Sequence, residues 1–261
     1  MTGLALHVKG LMMNRYSSTN PVMREGAFRA VSGSSAYGSM TASGTFNRTG
    51  ILLALVFLAA IFSWSFPYAD FAAIGSKLAI FSVVGLILAV VTMLRMDWAP
   101  YTAPVYAVAE GLVLGSLSRL FNVSYPGIIV QAVALTFSIF AVMLVLYRFR
   151  IVRVTDRFRM FVVAATLGIL VVYLVSALMR LFGSSGLGFV HQPTTFGLLF
   201  SLFVVFIAAL NLMMNFDFVE QVSRYGAPKY MEWYAAFGLV VTLIWLYVEV
   251  LNFLAKLRQS R

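Results

Sequence analysis

Three carboxylates stand inside or at the end of long apolar stretches, where an acid is expensive and can do chemistry. Glu249 lies in VVTLIWLYVEVLNFLAKL (residues 240–257), Asp217 in MMNFDFVEQ (residues 213–221) and Glu110 in VYAVAEGLVLGSLS (residues 105–118). Away from water such an acid is either a protonated group hydrogen-bonded to a neighbouring helix or a ligand for a proton or cation. Thr242, Glu249, Asn252 and Lys256 recur at helical spacing and form one polar stripe, which should face a bundle interior. That stripe could line an ion path. It could equally serve interhelical hydrogen bonding, with Lys256 snorkelling to the interface. In the run that precedes it, Ser201, Asn211 and Asn215 make one inward row, while Asp217, Glu220 and Gln221 fall on another face close to water. Glu110 sits about 12 Å along its run at 1.5 Å per residue. Beside it Gly111 and Gly115 make a GxxxG pattern, whose ordinary role is close helix contact.

Other chemistries lack their residues. The chain has no cysteine, so thiolate metal sites and disulfides are excluded, and two histidines, His7 and His191, are too few for a histidine cluster. There is no P-loop, HExxH, GxSxG or GxGxxG, and no Ser/His/Asp grouping within the apolar runs. The expectation is a protein that is not an enzyme and needs no cofactor.

The elements that must position these acids are membrane helices. Of 261 residues 61% are hydrophobic and 11% charged, against roughly a quarter charged in a soluble domain. The runs are long enough to cross a ~30 Å hydrocarbon core as helix, and they do not alternate as barrel strands do. Seven spans are predicted, over 50–66, 77–94, 102–120, 127–147, 160–182, 195–217 and 236–255, an all-α polytopic fold. Residues 1–48, rich in Gly, Ser and Thr, read as a disordered tail, 49–257 as the transmembrane domain and 258–261 as a short basic tail. Trp98, Tyr101, Trp233, Tyr234 and Tyr68 read as interfacial anchors. The net charge of +10 does not indicate nucleic acid, because the basic residues sit between the apolar runs. With seven spans, 13 of the 19 Lys and Arg fall on one side, including Arg148, Arg150, Arg153, Arg157 and Arg159, which predicts a cytoplasmic N-terminus. The partner so far is the lipid bilayer.

EGLVLG in the third run, NFDFVEQ closing the sixth and WLYVEVLNFLAKL in the seventh resemble the Bax inhibitor-1 family, also called the transmembrane Bax inhibitor motif family. NRTGILLAL, YTAPVYAVAEGLVLGSLS and GAPKYMEWYAAFGLVVTLIWLYVE look like its bacterial branch, and the resemblance covers roughly residues 45–257. It implies six helices around a central seventh, in the cytoplasmic membrane, and in some members a pH-sensitive calcium leak. By motif Asp217 matches a sixth-helix acid that faces and shares a proton with a seventh-helix acid, here Glu249 in place of Asp. Glu110 resembles the third-helix acid of bacterial members, while FSVVGLILAVV in the second run lacks the acid some relatives carry. Two acids that share a low-dielectric site cannot both ionise cheaply, so they titrate as a unit. Calcium takes six to eight oxygens, so Asn211, Asn215, Asn252, waters and backbone carbonyls would have to join Asp217 and Glu249 around it. The resemblance also implies an alternative, a non-conducting regulator in stress survival that contacts membrane proteases or other membrane proteins. A substrate transporter would show an internal repeat, and none is visible.

Overall fold

The computed structural model describes residues 38–66, 71–183 and 186–260. In hydrocarbon every backbone N–H and C=O must be satisfied within the chain, and the apolar runs accordingly form helices. They are α1 (Ala42–Trp64), α2 (Phe71–Leu94), α3 (Ala99–Ser124), α4 (Ile128–Arg148), α5 (Asp156–Leu181), the short α6 (Gly188–His191), α7 (Thr195–Arg224) and α8 (Met231–Gln259). Local chemistry sets the starts. Thr41, Thr155 and Thr194 cap α1, α5 and α7 by accepting from the backbone N–H groups of Gly44, Phe158 and Gly197. Gly127, with φ +78°, makes the left-handed turn between α3 and α4.

Seven long helices therefore stand where seven spans are predicted, and together they form an all-α membrane bundle. Six are long and apolar enough to cross a membrane unaided; α3 is the exception. It carries Glu110, Arg119 and several small residues, and it is sheltered by α1, α2, α4 and α8. Gly111 and Gly115 perform the expected packing: a Cβ on Gly111 would stand 2.5 Å from the Val56 carbonyl oxygen, and one on Gly115 2.2 Å from that of Ala60. Ser63 and Ser116 bond across the same contact (2.8 Å).

The last helix is central. It packs against α1, α3, α4 and α7, and the main core gathers on it, with Tyr234, Phe237, Leu239 and Leu246 almost fully buried. A second apolar cluster, Val162, Ile169, Val204, Ile207, Leu210 and Met213, joins α5 to α7.

Several expectations need correction. The first span begins at Ala42 rather than 50, and the chain before it is packed: Met40 is 2% exposed and its N–H donates to the Ala227 carbonyl (2.6 Å). The tail boundary at residue 48 is thus about ten residues late, because Met40, Thr45 and Thr49 find a buried face on α8 and its neighbours. Residues 1–37 lie outside the described residues. Tyr234 is a core residue, 0% exposed, not an anchor; Tyr68 also lies outside the described residues. Helix α7 continues to Arg224, seven residues past the predicted end, since its polar last turns still pack against α4 and α5.

Candidate functional site

The sixth and seventh spans (α7 and α8) are antiparallel, and two contacts fix their register. Near the α7–α8 turn Asn215 donates to the Gly238 carbonyl (3.4 Å) and to Thr242 Oγ1 (2.7 Å). At the opposite end Lys256 Nζ donates to the Gly197 carbonyl (3.4 Å) and to Ser201 Oγ (2.5 Å). Reading along both helices from these contacts, Asp217 stands level with Gly238 and Glu249 level with Phe206. The two acids are therefore about 16 Å apart along the bundle axis.

Each has its own partners. Glu249, 3% exposed, accepts from the Tyr173 hydroxyl of α5 at both carboxylate oxygens (3.0 and 2.9 Å) and from Trp245 Nε1 (3.1 Å). Asp217 accepts from the Arg159 guanidinium of α5 and from Gln221 Nε2 (2.6 Å). Glu220, on the next face, accepts from the Tyr147 hydroxyl and from Arg224. The face-to-face acid pair and the shared calcium site at Asp217 and Glu249 are not formed here: the register separates the two side chains by three helical turns. Among the described residues no three acids or histidines stand close enough to hold a metal together.

What the fold does bring together is a ladder of polar pairs along the seam of α5, α7 and α8. From the end that carries residues 38–41, the rungs are Arg159–Asp217, Thr242–Asn215, Thr166–Asn211 (2.8 Å), Tyr173–Glu249 and Ser201–Lys256. From Asp217 to Ser201 the ladder covers about 24 Å of axis, most of the thickness of a hydrocarbon core. The apolar α5–α7 cluster lies between and beside the rungs. Five of the residues expected to matter are on it: Asp217, Asn215, Thr242, Asn211 and Glu249. The side chain of Asn252, half-buried one turn beyond Glu249, makes no hydrogen bond to another described residue. Glu110 is turned away to the α2 side, where its carboxylate lies over Gly85, close enough that a Cβ there would be 2.8 Å from Oε1. Lys256 does not snorkel. It is 7% exposed and its ammonium is held between the Gly197 carbonyl and Ser201 Oγ of α7.

The partners of the acids are the residues that sequence reasoning passed over. Tyr173 and Thr166 are, with Ser176, the hydroxyls of a largely aliphatic run, and that contrast was a readable signal. Arg159 was read as part of a topology-setting loop. A further buried acid was also missed: Glu232, 1% exposed, accepts from Thr41 N–H (3.1 Å), Thr41 Oγ1 (3.0 Å) and Lys229 (2.8 Å) and holds residues 39–41 against α8. A Cβ on Gly44 would overlap its carboxylate, so the glycine makes room for the acid.

A family model described as Bax inhibitor 1 like matches residues 20–259. No curated protein and no solved structure matches the chain.

Proposed function

We propose a pH-sensitive cation pathway, with calcium as the substrate, for this chain, which belongs to the Bax inhibitor 1 like family. The observation that supports it is the ladder: ionisable and amide side chains recur across most of the bundle's thickness on the central helix α8, on α7 and on α5. Isolated polar groups in hydrocarbon are costly, and a continuous row of them marks a path for ions or protons. Asp217 and Glu249 act as separate stations, one near each half of the path, rather than as one pair. Asn215, Thr242, Asn211 and Thr166 supply neutral oxygens between them, and weak multi-site binding of this kind lets a cation leave as well as enter. Protons and cations compete for the carboxylate oxygens, so flux rises with pH as the stations lose their protons. In the arrangement described, Arg159 and Lys256 stand at the two ends as internal cations. The protein sits in the cytoplasmic membrane with residues 38–41 and the 148–159 loop on the cytoplasmic side.

Calcium entry into proteoliposomes as a function of external pH tests this reading. Glu249→Gln keeps the shape of the side chain and removes its charge. The expected outcome is a monodisperse protein whose flux changes less with pH, the remaining response being that of Asp217. Unchanged pH-dependent flux in Glu249→Gln would take this acid out of the mechanism. One observation favours a second reading, a non-conducting stress regulator: every rung of the ladder is already bonded to a protein partner. Absence of flux from the unmodified protein across the pH range would select it.

A further inference from the structure

A cleft of about 440 Å³ opens sideways between α1, α3, α4 and α8, away from the α5–α7 seam. It runs from Trp64, Asn122 and Gly127 at the end opposite residues 38–41 to Leu53, Phe137 and Leu243 in the middle of the bundle. Along α1 this is about 16 Å, close to the half-thickness of a ~30 Å core, which is one leaflet. Its rim faces outward through Ile61 (65% exposed) and Val130 (74% exposed). Most polar side chains on its wall have partners, Thr136 donating to the Ala132 carbonyl (2.8 Å). Ser118 and Tyr247 bond to each other (2.7 Å), and Asn122 accepts from the Gly127 N–H (3.1 Å). The walls therefore offer almost entirely hydrocarbon contact, which suits an alkyl chain better than a polar solute.

The mouth is basic. Arg119 donates to the carbonyls of Trp64 (2.6 Å) and Phe66 (3.0 Å) at the end of α1. Arg258 donates to the Pro126 carbonyl (2.9 Å) and to Gln131 (3.1 Å) at the start of α4. Two guanidinium groups are thus pinned to the two helices that frame the opening, at the depth of a headgroup. Lys77 and Arg180 belong to helix ends on the same side. We propose that this cleft binds one acyl chain of an anionic phospholipid, with its phosphate at Arg119 and Arg258. The match of length to one leaflet selects a chain, the lateral opening selects a lipid of the bilayer, and the charge selects an acidic headgroup.

Native mass spectrometry of the full chain, delipidated in detergent and given phosphatidylglycerol or phosphatidylcholine, tests the assignment. The expected result is one retained phosphatidylglycerol, preferred over phosphatidylcholine roughly tenfold. Arg258→Gln should cut that preference about fivefold, and Val133→Trp, which fills the cleft, should abolish retention. A second measurement does not depend on how Val133→Trp folds: in vesicles, phosphatidylglycerol brominated on its acyl chains should quench emission more than brominated phosphatidylcholine, and Trp64→Phe should remove the difference. Equal retention of the two lipids, equal quenching, or selective retention of free palmitate in place of phospholipid would each overturn the proposal.

Discussion

Asp217 and Glu249 show how differently one membrane interior treats two acids. Asp217 has a guanidinium against it and stays partly open, with 19% of its side chain exposed and 25% of that of Arg159. Glu249 has a phenol and an indole instead, and the next charged residue along α8, Lys256, is two turns away. Removing one member of the Asp217 pair should therefore cost about 1–2 kcal/mol, between the exposed and the buried limits. Arg159→Gln and Asp217→Asn are each expected to lower the melting temperature in detergent, and the double variant to be little worse than either single one. Additive losses would show that the two residues act through other partners. Glu249→Leu should behave unlike Glu249→Gln: it leaves the Tyr173 hydroxyl and Trp245 N–H without their acceptor, at roughly 1–3 kcal/mol for each buried donor left unpaired. Thermal unfolding of the two variants side by side checks this.

Among the elements, α3 is the most dependent on its neighbours. Its acid, its arginine and its small residues keep it from qualifying as a span unaided, and close approach to α1 is what makes room for it in the bundle. Gly115→Ala is expected to destabilise by about 1–3 kcal/mol, because the added methyl meets backbone and neither helix has a flexible end to yield. Gly75→Ala in α2 serves as the control. A Cβ there meets nothing within 4 Å, and the change should be neutral or slightly stabilising. Equal effects at the two glycines would mean that the α1–α3 approach is not tight in the membrane. The GxxxG pattern announced this contact from sequence. Helix ends were less legible: the last turns of α7 are polar, yet Tyr147, Arg159 and Arg224 hold them helical beyond any hydropathy boundary.

For the molecule as a whole, the short segment before α1 closes the end of the bundle. Met40, the Thr41 cap and the Glu232 contacts all belong to it. A deletion ending at residue 37 should purify as the full chain does. One ending at Thr41 should lose roughly 2–4 kcal/mol from the cap and the buried methionine, read as a lower melting temperature. A tolerated second deletion would show that the segment is not packed in the bilayer. Sidedness is accessible because the chain has no cysteine. Ser39→Cys and Arg153→Cys are expected to resist an impermeant thiol reagent in intact cells, while Ser124→Cys reacts; the reverse pattern would invert the proposed topology.

The amino-acid sequence by itself determined the solvent, the helical class, the number of long helices and the presence of intramembrane acids. Each of these follows from local composition over about twenty residues. The motifs around Glu110, Asp217 and Glu249 also carried the family. What only the tertiary structure decided was who meets whom. Register between α7 and α8 is set by the Asn215–Thr242 and Ser201–Lys256 contacts, and a shift of a few residues there moves a side chain by a full turn. That is why Asp217 lies with Arg159, Glu249 with Tyr173 and Glu110 over Gly85, pairings that no spacing along the chain contains.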